Sequence, residues 1–292
     1  MQLGVIGDPV SQSLSPHLHR IFMTELEIPG SYQAYHVSGD SLESTLVSLG
    51  TEGVQGLNVT MPHKQAVLKY LRNTDATVQL LGAANTLTWD ASQNGWLGAN
   101  TDGIGFIQSL PPWIVATLDQ REVLLLGAGG SAKAVLLALI EAEVPTITVA
   151  VRDPEKASQS LASLASVAQA AGVQWQITSL SCLQTLRPYH LVVNTTPVGM
   201  HGPDQHGQFN HCLLADRLLD TLSANACVVD LVYRPLLTPF LSACQQRQIE
   251  TVSGLGMLVY QGAASFSLWS GVDVPEAVCE TAYQALSLAD SV

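Results

Sequence analysis

Along the first hundred residues, short apolar runs alternate with amphipathic stretches, a pattern that predicts strands separated by helices. QLGVIG (2–7) predicts a strand, and the segment after Pro16 predicts a helix. YQAYHV (32–37) is a second strand and LESTLVSLG (42–50) a second helix. GLNVT (56–60) is a third strand, with a helical stretch after it to about residue 72. NTLTWDASQNGWLGANTDG (85–103) differs, because two short strand candidates flank the turn-rich ASQNG and predict a hairpin. The strand–helix alternation implies a parallel sheet with right-handed crossovers.

A second alternating run begins near residue 121. EVLLLG (122–127) is a fully apolar strand, and a helix is expected over about 130–142. TITVAVR (146–152) is a further strand, followed by an Ala-rich helix from Pro154 to Ala171. WQITSL, HLVVNTTP and ACVVDLVY supply three more strands. The unbroken apolar character of VLLL and VVDLV fits strands covered on both faces. After Gly254, LGMLVYQGAASFSLW and PEAVCETAYQALSLA are helical in pattern. Neither a repeat nor a low-complexity tract interrupts this picture of two α/β units.

A length of 292 residues with 47% hydrophobic and 12% charged side chains suits two well-packed domains. The formal net charge of −12 argues against a nucleic-acid partner, which needs clustered Lys and Arg. The five cysteines include no C-x-x-C pair, so neither a disulfide framework nor a zinc site is expected. The spacing of His, Cys, Asp and Glu suggests no other metal site. MQLGVIGDPV lacks the basic and apolar regions of a signal peptide. The most apolar stretch, 123–140, contains a glycine cluster and Lys133, which fit strand, turn and helix better than a membrane span. A cytoplasmic protein without membrane partners is expected.

The candidate chemistry is local. GAGGSA (127–132) joins a strand to a helix as G-x-G-x-x-A. Gly127 permits a tight turn, Gly129 lets the backbone approach a pyrophosphate, and Ala132 allows close packing of helix on strand. Free N–H groups at the helix start favour an anion. Past the next strand stand Arg152 and Asp153. Arginine there suits the 2′-phosphate of NADP; Asp153 is either a ribose ligand or the cap of a helix with Pro154 at its first position. In SQSLSPHLH (11–19), Ser15 as N-cap with Pro16 at N1 is a common helix start, and Ser13 with Ser15 also makes a carboxylate site. Asn85 and Asp102 stand beside predicted strand ends, where open α/β sheets gather ligands. In NVTMPHK (58–64), Lys64 follows the turn at Pro62, as a solvated helix-start lysine or as a proton donor in a cleft. His17, His19 and His63 are read as structural.

SxSP at 13–16, NVTMPHK, GAANT at 82–86, NTDG at 100–103, GAGGSAKA at 127–134, NTTPVGM at 194–200 and GLGMLVYQGA at 254–263 stand in the order found in shikimate dehydrogenases. The chain resembles that family over essentially its whole length. The resemblance implies an N-terminal α/β substrate domain, a Rossmann-like dinucleotide-binding domain and a cleft between them. Residues 1–103, completed by helices in 254–292, would form the substrate domain, and 104–253 the NADP domain. The implied activity is NADPH-dependent reversible reduction of 3-dehydroshikimate to shikimate, a step toward chorismate and the aromatic amino acids. Lys64 and Asp102 are implied as the catalytic pair; Ser13, Ser15, Thr60, Asn85, Asp102, Tyr233 and Gln261 as substrate ligands. Gly127, Ala128, Gly129, Gly130, Ser131, Ala132 and Arg152 are implied to hold NADP, with Leu231 and Gly254 bordering the nicotinamide. The family often shows Asn-Arg-Thr after the second nucleotide-domain strand, where this chain has Val151, Arg152 and Asp153. The alternatives are an NAD-linked quinate/shikimate dehydrogenase and a non-catalytic nucleotide-binding regulator. A monomer or homodimer acting on a small molecule is expected.

Overall fold

The computed structural model describes residues 1–200, 212 and 214–289. Its chain contacts divide it into two compact units, residues 1–105 with 258–289 and residues 106–257.

In the first unit, β1 (Gln2–Gly7), β2 (Ser31–His36), β3 (Gly56–Val59), β4 (Leu71–Thr74), β5 (Thr86–Asp90) and β6 (Gly95–Ala99) form a six-stranded sheet in the order β2-β1-β3-β5-β6-β4. β1 pairs parallel with β2 and β3, while β5 runs antiparallel to both β3 and β6. The hairpin expected around ASQNG is therefore present, with Asn94 in the left-handed region at φ 48. Helices Ser15–Glu25 and Leu42–Thr51 follow β1 and β2. Leu42, Leu46 and Leu49 of the second pack with Leu57, Val59, Leu87 and Trp96 into one core.

The helical stretch expected to residue 72 is shorter. Helix His63–Ala66 tightens into a 3₁₀ turn at Val67–Tyr70 and then becomes β4. LRNT has no strand pattern of its own; pairing with β6 makes it a strand. Ser15 also differs from expectation. It is the first helical residue, Leu14 takes the N-cap position, and the Ser13 hydroxyl accepts the Ser15 N–H at 3.2 Å. Ser13 therefore does locally what Ser15 was expected to do.

In the second unit, β7 (Glu122–Leu126), β8 (Thr146–Val151), β9 (Gln174–Ser179), β10 (Leu191–Asn194), β11 (Cys227–Asp230) and β12 (Glu250–Ser253) pair parallel throughout. Their order, β12-β11-β10-β7-β8-β9, is that of a doubly wound dinucleotide-binding sheet. β7 and β10 are almost wholly buried, as their apolar runs require. The helix expected over 154–171 is broken into Pro154–Leu161, a 3₁₀ turn at Ala162–Leu164, and Ala165–Ala170. Ser158, Ser160, Ser163 and Ser166 weaken helix propensity here, while Leu161 and Leu164 stay buried across the break. No helix among the described residues is long and apolar enough to cross a membrane.

Candidate functional site

One strand start and three helices deliver a compact polar cluster. Asn85 precedes β5, and its main chain is bonded on both sides: Val59 N donates to its carbonyl at 2.8 Å, and its own N–H donates to Ala99 O at 3.2 Å. Lys64 lies on the short helix after β3, and its carbonyl accepts the Ala84 N–H at 2.9 Å. Asp102 opens the helix Asp102–Ser109, where a carboxylate suits the N-terminal dipole. Its approach is fixed by Asn100, whose Oδ1 accepts the Asp102 N–H at 3.1 Å and whose Nδ2 donates to Ala83 O at 2.9 Å. Gln261 comes from helix Leu255–Ser270. Gly105, one turn after Asp102, permits this approach, because a Cβ there would lie 2.6 Å from Gln261 N.

Lys64 Nζ donates to Asp102 Oδ2 at 2.6 Å, with the lysine side chain 21% and the carboxylate 6% exposed. Asn85 Nδ2 donates to the other carboxylate oxygen at 2.7 Å and lies 3.3 Å from Gln261 Oε1. Asp102 is thus held at both oxygens, and Lys64 retains two N–H bonds for another acceptor. A partly open ammonium anchored by a buried carboxylate can give a proton to a ligand oxygen and take it back.

The structure brings Lys64, Asn85, Asp102 and Gln261 into direct contact. Thr60, just after β3, is half-buried, its N–H bonded to Ile6 O at 3.0 Å and its methyl against Gly7, where a Cβ would lie 2.4 Å away. Ser13 is half-buried and Ser15 buried. His63 is buried and its Nε2 lies 2.6 Å from Val37 O, a structural role. His19 stacks on Tyr32 at 4.3 Å, and burial lowers its pKa to about 3 against a weaker opposing bond to Asn58. Sequence reading missed the buried polar residues beneath the cluster, Asn58, Thr86, Thr101 and Ser265. Each lies inside or one turn from a quoted motif, but nothing in the motifs says which residues face inward.

In the second unit, Gly127 has φ +107, and a Cβ on it would come within 2.7 Å of Thr195 Oγ1. Thr195 is pinned in turn by its hydroxyl bond to Leu126 O at 2.7 Å. Gly129 caps the helix Gly130–Glu141, and no atom lies within 4 Å of a Cβ built on Gly129 or Gly130. Ala128 completes the turn, Ser131 stands in the first turn of the helix, and Ala132 is fully buried. This open, side-chain-free cradle at a helix N-terminus fits a pyrophosphate. Arg152 is exposed directly after β8. Asp153 caps the next helix, with Oδ1 accepting the Lys156 N–H at 3.2 Å. Leu231 and Gly254 touch: a Cβ on Gly254 would lie 2.1 Å from Leu231 O, so only glycine fits. Tyr233 follows on the same segment, its phenol pKa raised by burial.

Residues 5–87 match the model of a shikimate dehydrogenase substrate binding domain, and residues 254–282 that of a shikimate 5'-dehydrogenase C-terminal domain. A shikimate dehydrogenase (NADP(+)) of Bacillus licheniformis is 35% identical over 92% of this chain and 91% of its own length. One from Methanocella arvoryzae is 38% identical over 95% of this chain and 96% of its own. The solved shikimate 5-dehydrogenase of Thermus thermophilus, in complex with NADP(H) and shikimate, is 30% identical with a TM-score of 0.78, over 98% of this chain and 99% of that one.

Proposed function

The chain belongs to the shikimate dehydrogenase family, and from that premise we infer that it catalyses the reversible NADP-linked reduction of 3-dehydroshikimate to shikimate. The observation that carries the assignment to this site is the Lys64–Asp102–Asn85 cluster, one half-open ammonium held by a doubly anchored carboxylate. When bound at the glycine loop, NADPH is the source of the hydride for the ketone carbon. Gly127 to Ala132 would hold its pyrophosphate by main-chain N–H groups, Arg152 would pair with the 2′-phosphate, and Leu231 and Gly254 would border the nicotinamide.

Lys64 donates a proton to the carbonyl oxygen of the substrate, and as the amine it recovers that proton in the reverse direction. Asp102 orients the lysine and accepts a hydrogen bond from a ring hydroxyl. Ser13 and Ser15 take the substrate carboxylate, while Thr60, Asn85, Tyr233 and Gln261 hold its remaining oxygens. Residues 1–103 with 254–292 act as the substrate domain and 104–253 as the NADP domain. A cytoplasmic location and a monomer or homodimer accompany this assignment.

Spectrophotometric assay of shikimate and of quinate oxidation tests it, each with NADP and NAD in parallel. Turnover with NADP well above that with NAD is expected. NAD-linked oxidation of quinate would overturn the cofactor and substrate assignment, and no turnover with any of the four combinations would leave a nucleotide-binding protein without this activity.

A further inference from the structure

Beneath the Lys64 cluster lies a second layer of buried polar side chains that the chemistry above does not use. Thr86 and Ser265 are fully buried and Thr101 nearly so. Asn58 sits inside β3 directly opposite Thr86 in the sheet register. Ser265 lies one helical turn after Gln261, with its Oγ 2.9 Å from the Gln261 carbonyl oxygen. The same oxygen accepts from Asn58 Nδ2 at 3.1 Å and lies 2.7 Å from Thr86 Oγ1 and 3.1 Å from Thr101 Oγ1.

This layer determines which way the Asn85 amide points. Its Oδ1 accepts the Thr101 backbone N–H at 2.9 Å and the Thr86 hydroxyl at 2.9 Å. A backbone N–H can only donate, so that amide atom must be the oxygen. Nδ2 is then the atom 2.7 Å from Asp102 Oδ1. An inverted amide would set its oxygen against the carboxylate and its NH₂ against the Thr101 N–H, with both contacts repulsive.

We propose that Thr86 and Ser265 are positioning residues that lock the Asn85 amide on Asp102 Oδ1 and so keep Oδ2 turned toward Lys64. The proposal rests on the assignment of Lys64 and Asp102 as the acid–base pair. Its far end is anchored at Asn58 Oδ1, which accepts from the Tyr32 hydroxyl at 2.7 Å and from His19 Nε2 at 3.1 Å. With Nε2 as the donor, His19 Nδ1 is a bare lone pair, and it is buried without a hydrogen-bond partner. Burial keeps His19 neutral through the physiological range, so the anchor does not loosen as pH changes. With the Thr86 proton on Asn85 Oδ1, Ser265 gives its single proton to Thr86 Oγ1, and a run of hydrogen bonds then reaches from helix Ser15–Glu25 through Asn58, Ser265, Thr86 and Asn85 to Asp102 and Lys64. Each member is satisfied by the next, the condition under which a buried polar network specifies one arrangement.

The test uses Thr86→Val, which keeps the shape and removes the hydroxyl, with Thr86→Ser and Ser265→Ala in the full chain. Thr86→Val and Ser265→Ala lower kcat about tenfold, more than they raise KM for shikimate, as expected for misplacement of a catalytic group. Thr86→Ser restores most of the loss. In protein labelled with ¹⁵N-asparagine, the Asn85 side-chain amide protons exchange roughly tenfold faster in both disruptive variants, a change of about 1.4 kcal/mol in protection. That readout needs no substrate. Unchanged amide exchange in Thr86→Val and Ser265→Ala overturns the proposal, as does a loss of activity that Thr86→Ser fails to recover. If exchange responds as expected while the wild type does not oxidise shikimate, the positioning role stands and the assigned activity falls.

Discussion

The two units handle polarity in opposite ways. In the second, β7, β8, β10 and β11 are mostly apolar and buried, and β7 runs into a loop whose useful groups belong to the main chain. Gly129 and Gly130 leave open space where side chains would project. In the first unit, a polar residue is buried within β3 itself, and side chains from strand ends and helices occupy one another's hydrogen-bonding positions. A pyrophosphate is met by N–H groups that any sequence possesses, provided the side chains are absent. Proton transfer needs particular side chains at fixed distances, and burying them demands that every polar atom find a partner. The first site is therefore expected to fail through lost groups and the second through added ones.

The largest effect expected is from Lys64→Ala, which removes the proton donor and leaves the cradle intact. A kcat loss of roughly 10²–10⁴-fold is expected, the usual worth of general acid–base assistance. NADP affinity, measured by calorimetry, stays at the wild-type value. Near-normal turnover would dissolve the distinction between the units, because the polar cluster would then not be the chemical site.

The second unit also buries polar side chains, Thr148, Asn194, Asp230 and Thr238 among them, and Asp230 gives the next largest effect. Asp230 is fully buried at the end of β11, and burial raises its carboxyl from 3.8 to about 6 despite bonds from Thr238, Val232 and Asn194. Between those two values the folded chain holds a proton that the unfolded chain has released. Stability contributed there is present below pH 4 and is lost as pH rises to 6. The shift corresponds to about 3 kcal/mol at some 1.4 kcal/mol per unit. Urea titrations of wild type and Asp230→Asn at pH 4 and pH 7 cancel the other groups. The stability difference between them should move by about that amount in favour of the variant at the higher pH; a constant difference would show an ordinary carboxylate.

How much of this was legible in the sequence follows the same division. Gly127, Gly129 and Ala132 announce themselves because a tight turn and a close approach restrict residue type. Lys64, Asn85 and Asp102 were found as polar residues near strand ends, but their contact depends on β5 lying between β3 and β6, which is a tertiary fact. Thr86 and Ser265 were invisible for that reason: an isolated buried hydroxyl carries no periodicity signal. The edge strands β4 and β12 escaped because pairing, and not their own pattern, makes them strands. Ser15 was misplaced by one position since Ser13, two residues earlier, can reach the same helix start.

Within the cradle, Gly127→Ala and Gly129→Ala separate fold from function. The first forces a side chain into φ +107 and against Thr195, a strain of roughly 1–3 kcal/mol, visible in thermal unfolding. The second meets no atom within 4 Å, so Tm is unchanged, while NADP Kd rises roughly tenfold because the methyl group occupies the pyrophosphate's approach. Equal effects of both on Tm, with neither affecting Kd, would mean that the loop is only a turn.

The smallest effect concerns Asp153, the acidic residue beside Arg152. Its carboxylate is turned into its own helix, accepting the Lys156 N–H through Oδ1 and lying 3.5 Å from Lys156 Nζ through Oδ2. Those bonds lower its pKa, the Lys156 N–H first among them, so the charge is engaged by the helix start. Asp153→Ala is accordingly expected to lower Tm slightly and to leave the ratio of KM values for NADP and NAD within about twofold, since a capping carboxylate is not free to contact a ribose. Asp153→Asn retains a capping oxygen and should recover Tm without altering that ratio. If instead either variant lowered KM for NADP about tenfold, the carboxylate would be opposing the 2′-phosphate as a like charge. The second unit would then resemble the first, with a side chain rather than the main chain setting which nucleotide it accepts.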